Sequence, residues 1–121
     1  VEADISMSTY YHDAIVVVGI KADEGEDTQD AVIAYRIAKG LGLIVTEIVG
    51  TQGEIYSSFM ICPDGAKEGS DRSEEHDVLR DSWKLSVQKA GLLVDWCHVR
   101  LGGDFIAPDG QTAEIVDCTS E

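Results

Sequence analysis

The chain carries one short plan twice: an apolar strand, an acidic loop, a helix ending near Lys-Gly, a second apolar strand and a closing glycine. In the first copy residues 14–20 are apolar, 23–30 form the acidic loop, the helix runs to Lys39-Gly40, and 41–49 lead to Gly50. The second copy runs through residues 55–62, an acidic loop, a helix ending Lys89-Ala90-Gly91, then 92–101 and Gly102-Gly103. A strand that is apolar along its length must be covered by another layer. The doubled plan therefore calls for helices packed on a sheet.

Local signals set the expected elements. Residues 14–20 read as a central strand, and Gly25 gives the following loop its backbone freedom. Asp27 or Thr28 suits the N-cap of the first helix, whose apolar stripe is Ile33, Ala34, Ile37, Ala38 and Leu41. Lys39 falls in its last turn and Gly40 is its expected C-cap. Residues 43–49 make the second strand, and Gly50-Thr51-Gln52-Gly53 reads as a hairpin turn into the third, 54–62. After the turn Pro63-Asp64-Gly65, the second helix starts near Asp71 or Ser73, where Asp71-Arg72-Ser73-Glu74 has capping-box spacing. Leu79, Trp83, Val87 and Ala90 are its predicted core stripe. The fourth strand covers 93–101, and a Pro-Asp-Gly turn at 108–110 leads to a short last strand, 113–118.

The order β-α-β-β-α-β is the split βαβ plan, an α+β ferredoxin-like sandwich with two helices on one face of a four-stranded antiparallel sheet. Residues 1–121 are read as a single domain. Residues 1–13 form an N-terminal arm or short strand, 14–103 the core, and 104–121 a C-terminal extension with room for an extra strand. A chain of this length buries roughly two-thirds of its unfolded surface, enough for a core without metals or disulfides.

Twenty-three acidic residues against nine basic ones give a net charge of −14. Direct binding to nucleic acid is disfavoured, since phosphate contacts need clustered Lys and Arg. Three explanations for the charge stand side by side: a basic partner, a high-salt cytoplasm, or solubility. No apolar run approaches the ~20 residues of a membrane helix, and no signal peptide is visible. The start at Val1 leaves a trimmed and a processed beginning both open. Cys62, Cys97 and Cys118 are odd in number and lack C-x-x-C spacing, which favours a reducing, cytoplasmic setting.

The expected topology places the first and third strands side by side and pointing the same way. The loops leaving them would then meet at one edge. The first loop brings Asp23, Glu24, Glu26, Asp27 and Asp30; the second brings Asp64, Glu68, Asp71, Glu74, Glu75 and Asp77, against Lys67 and Arg72. Carboxylates at helix N-termini are each stabilised by about 0.3–1 kcal/mol, which accounts for some of these acids but not all. Residues 23–27 are rich in hard oxygens but lack the ligand spacing of an EF-hand loop.

Alternation along the fourth strand assigns Leu93, Cys97, Val99 and Leu101 to the helix side and Trp96, His98 and Arg100 to the open face. On the third strand Ile55, Phe59 and Ile61 face the helices, leaving Tyr56, Ser58 and Met60 open. Tyr56, Met60, Trp96, His98 and Arg100 are therefore expected on one surface. It would serve as a homodimer interface, a small-ligand site, or a seat for the termini.

No catalytic residues, metal site or cofactor are predicted. His12, His76 and His98 have no metal-binding spacing, there is no G-x-S-x-G elbow, and Gly40-Leu41-Gly42 follows a helix rather than a strand. Cys97 and His98 are strand neighbours facing opposite ways, and His12-Asp13 stands as an isolated pair.

In the first copy, Val18-Gly19-Ile20-Lys21, leading through the Gly25 loop into a helix and then Gly42-Leu43-Ile44-Val45, resembles the amino-acid-binding regulatory modules known as ACT domains. The Pro-Gly usual in their first loop is replaced by Glu24-Gly25-Glu26, so the resemblance implies similarity of fold rather than membership.

The leading expectation is a small acidic non-enzymatic binding protein, an inhibitor or adaptor of the phage or mobile-element type. It would dock its acidic surface on a basic, nucleic-acid-binding protein partner and act as a nucleic-acid mimic, without binding nucleic acid or membrane itself. The alternative is a small-ligand regulatory domain, or a small ferredoxin-like enzyme, using the open face around His98.

Overall fold

The computed structural model describes residues 10–20, 30–50, 56–66, 69–103 and 111–119. Residues 10–20 are rich in β-branched and aromatic side chains and form β1 (Tyr10–Ile20), the longest strand. It is followed by α1 (Asp30–Leu41), β2 (Tyr56–Ile61), α2 (Asp71–Lys89), β3 (Val94–Gly103) and β4 (Gln111–Cys118). The four strands make one sheet in the order β2-β1-β3-β4, and every neighbouring pair is antiparallel. The architecture is α+β and ferredoxin-like.

The expected second strand is present only as an irregular edge. Val45 and Val49 bridge to Ile61 and Ser58 of β2, and Thr46 N–H donates to the Met60 carbonyl at 2.9 Å. The Thr46 hydroxyl accepts from Met60 N–H, so a side chain stands in where a regular ladder would use a backbone carbonyl. The Cβ of any residue replacing Gly50 would lie 2.1 Å from the Tyr56 carbonyl oxygen, and its φ is +80°, so this position needs glycine.

One expectation about direction is overturned. β1 and β2, the expected first and third strands, lie side by side but run antiparallel, with Ile15 opposite Ile61 and Ile20 opposite Tyr56. The crossover through α1 brings the edge segment back in the direction of β1, and the following reversal turns β2 the other way. The chain therefore leaves β1 and β2 at opposite ends of the sheet.

Both helices lie on the face carrying Ile15, Val17, Phe59 and Ile61, which with Ala31, Ala34, Ala38, Trp83 and Val87 form the core. α1 presents alanines to the sheet, and Gly19 of β1 allows close approach at Ala31. Trp83 is fully buried, and its indole N–H donates to the Ala34 carbonyl at 2.9 Å, tying α2 to α1. It meets Phe59 and Trp96 edge-on at 6.4 and 6.1 Å. Truncating such a side chain typically costs about 3–5 kcal/mol.

The helix ends differ in detail from expectation. α1 runs through Gly40, and Gly42, at φ +89°, is the terminator. Leu43 N–H donates to Ala38 and Gly42 N–H to Lys39, a Schellman motif. At α2 the N-cap is Ser70, whose hydroxyl accepts from Ser73 N–H, rather than Asp71 or Ser73. The core stripe of α2 is also rotated from the predicted one. Trp83 and Val87 are buried as expected and Leu79 partly so, but Ala90 is exposed and Arg80 is inside.

Candidate functional site

Asp13, Ile15, Val17 and Gly19 share one side of β1, and Arg100, His98, Trp96 and Val94 stand opposite them on β3. The apolar pairs fill the centre of the helix–sheet interface. Toward the start of β1 the same row turns polar, and the middle of α2 supplies the counterparts.

Asp13 is the hub. His98 Nε2 lies 2.7 Å from Asp13 Oδ1, and Arg100 Nε donates to the same oxygen at 3.0 Å. Arg80, 2% exposed, sits with its guanidinium 3.8 Å from Asp13 Oδ2 and 3.5 Å from Asp64 Oδ2, and it also pairs with Asp77. One side chain of α2 thus joins β1, the segment after β2 and its own helix. Burial alone raises the Asp13 pKa, but hydrogen bonds from His98 and Arg100 and the charges of Arg100 and Arg80 outweigh it and hold the carboxyl below its usual value.

Lys84, one turn along α2, places Nζ 2.8 Å from His98 Nδ1 and 3.6 Å from Asp117 Oδ2 on β4, and lies over the Trp96 ring. A lysine ammonium only donates, so Nδ1 accepts and Nε2 carries the proton donated to Asp13. Both imidazole nitrogens are thereby engaged. His98 in this arrangement orients Asp13 and Lys84 and has no lone pair turned toward a substrate. Beside Lys84, a groove of about 690 Å³ runs between α2 and the ends of β3 and β4, lined by Leu85, Leu92, Trp96 and Thr119 among others.

No family model matches this chain, and no curated protein or solved structure matches it significantly.

The open-face group expected around His98 is not formed. Tyr56 and Met60 lie on the open side, as their register opposite Ile20 and Val16 requires, but Trp96, His98 and Arg100 face the helices. The expectation placed the more apolar row of β3 inward. The polar row goes inward instead because Asp13, Lys84 and Trp83 are there to receive it, and Cys97, Val99 and Leu101 turn outward.

Among the described residues the acids do not gather at a single edge. Asp23, Glu24, Glu26, Asp27 and Glu68 lie outside the described residues. Asp30 opens α1 and accepts from Leu93 N–H at 2.6 Å, at the end of the sheet away from Asp64. The Asp64 side chain is buried, taken by Arg80 and by Ala66 N–H, and Asp77 pairs with Arg80. Asp71, Glu74 and Glu75 are exposed on α2, where they share the outer face with Asp81 and with Val78 and Leu85, 63% and 50% exposed. Asp64, expected at the surface, therefore serves the interior, while Asp77 stays half-exposed and is engaged by Arg80.

Arg80, Lys84 and Asp13 are site residues that the sequence expectations do not include. A signal for the first existed: positions 76, 80, 83 and 87 follow helical spacing and include Trp83 and Val87. Asp13 likewise alternates with Ile15 and Val17 on β1.

Among the described residues no three His, Cys, Asp or Glu side chains gather to hold a metal ion, and no helix is long and apolar enough to cross a membrane.

Proposed function

We propose that the chain is an acidic binding domain that docks the outer face of α2 onto a basic protein, of the kind whose groove otherwise holds nucleic acid. The observation that carries this reading is the inward turn of Arg80, Lys84 and Arg100, three of nine cations. Spent on Asp13, Asp64, Asp77 and Asp117, they leave the outer surface with fewer positive charges than the composition implies. The outer face of α2 adds geometry to charge. Val78 and Leu85 lie seven residues apart, about 10 Å along the helix, with Glu74, Glu75 and Asp81 beside them. An apolar pair flanked by carboxylates suits a helix-in-groove contact in which cations line the rim.

The engagement of both His98 nitrogens supports binding rather than chemistry at this cluster. Three free thiols suit a reducing, cytoplasmic setting for the same role.

The test is capture from lysate of the native host, with retained proteins identified by mass spectrometry. Wild type should hold basic proteins at 50 mM salt and release them at 500 mM. Glu74→Gln/Glu75→Gln/Asp81→Asn and Val78→Ser/Leu85→Ser should each lose them. Capture unchanged in both variants, or insensitive to salt, would remove this reading.

A further inference from the structure

We infer that the open face of the sheet is a self-association surface, covered by the same face of a second copy of this chain. β1, β2, β3 and β4 direct Val16, Val18, Met60, Val99, Leu101 and Ile115 to the side away from the helices. Val16, Leu101 and Ile115 are 43%, 53% and 66% exposed. Among the described residues of the four strands, the charged side chains Asp13, Arg100, Glu114 and Asp117 belong to the helix side by register. Asp95 is the exception, at one end of the open face, where Thr119 holds it. In a chain of net charge −14, a face so cleared of carboxylates is a selected feature rather than a sample of the surface.

Charge also decides the occupant. A basic partner drawn to this molecule would set its cations against valine, leucine and isoleucine and leave them desolvated without counter-ions. A second copy brings an identical, largely apolar face with Asp95 at one end and His12 opposite Leu101, and a twofold axis lets every contact be made twice. With strands about 4.8 Å apart and about 3.3 Å per residue, the face spans roughly 20 by 27 Å. Side-chain relief brings that toward the ~800 Å² of accessible surface that each member of a standard interface buries. The described acids of α2, which repel their counterparts in the second copy, lie behind the face, where salt screens them over ~8 Å. Such a dimer leaves both α2 outer faces free, since α2 packs on the opposite side of the sheet.

Sedimentation equilibrium from 1 to 100 µM at 50 and 500 mM NaCl tests this. Wild type should dimerise, and more tightly at high salt, the opposite sign to docking on a basic groove. Leu101→Glu and Ile115→Glu should each raise the dissociation constant at least ten-fold, with folding checked by circular dichroism. Glu74→Gln/Glu75→Gln/Asp81→Asn should not weaken it. In wild type, alkylation of the exposed Cys118 on this face should slow several-fold between 1 and 100 µM, a readout that needs no variant. A monomer at 100 µM in both salts, a dimer that weakens with salt, or one indifferent to both face variants with Cys118 unprotected would overturn the inference. None of these outcomes bears on capture through α2.

Discussion

Arg80 of α2 and Asp13 of β1 are both buried, and their charged atoms lie 3.8 Å apart across the helix–sheet interface. His98 and Arg100 complete the shell around the carboxylate, so the negative charge is compensated from two elements at once. The middle of α2 is held by this cluster, and the C-terminal half by Trp83 and Val87.

Removing the carboxylate charge should be costly. Asp13→Asn keeps the shape but leaves Arg80 and Arg100 without their shared counter-ion, and breaking a buried pair typically costs about 3–5 kcal/mol. Urea denaturation should place the variant about 3 kcal/mol below wild type. A difference under about 1 kcal/mol would mean that the cluster is better solvated than its burial indicates.

The same residue sets an acid dependence. Its folded pKa is lowered from 3.8, so the folded state holds the carboxylate more firmly than the unfolded chain does. The stabilisation is present above the unfolded value and is lost as pH falls through the lower, folded one. Urea midpoints of wild type and Asp13→Asn measured from pH 2 to 7 should be separated by a constant amount above about pH 5. The gap should start to narrow as pH falls past the unfolded value and close only as it falls through the lower, folded one. A gap that widened on acidification would reverse the sign of this contribution.

Gly19 and Ala31 set how closely α1 approaches the sheet. A Cβ at Gly19 would lie 2.8 Å from the Ala31 Cβ, 3.3 Å from its backbone nitrogen and 3.2 Å from Val94 Cγ1. Gly19→Ala should therefore cost about 1–3 kcal/mol through overpacking. Ala31→Gly alone should cost about 1 kcal/mol as a glycine in a helix. In the double variant part of the clash is relieved, so the two changes should couple by at least ~0.5 kcal/mol in thermal or urea unfolding. Strict additivity would show that α1 shifts freely instead.

Much of the fold was legible because it is written in local periodicity. The run at 14–20, the Lys-Gly and Ala-Gly helix ends and the Pro-Asp-Gly turn at 63–65 each act within a few residues. β1, both helices, β2, β3 and β4 were accordingly expected close to where they stand. The strand expected at 43–49 is instead an irregular edge, because apolar alternation does not say whether a regular partner ladder is available.

The site was less legible. On β3, residues 97, 99 and 101 make the more apolar row, and that favoured turning them inward. The choice between two faces of a strand depends on what waits on the other side, and Asp13 and Lys84 are distant from His98 in sequence. Arg80 gave the same difficulty on α2, where its charge hid its place in the buried stripe.

By itself, the sequence determined the sandwich plan, the net charge and the separation of acidic stretches from apolar strands, since composition and short-range spacing suffice for these. Tertiary structure alone decided strand direction, the inward turn of Arg80, Lys84, His98 and Arg100, and the largely apolar open face. The physical reason is that a buried charge is tolerated only when its counter-ion arrives from another element. Pairings between elements are made across the fold and leave no period along the chain.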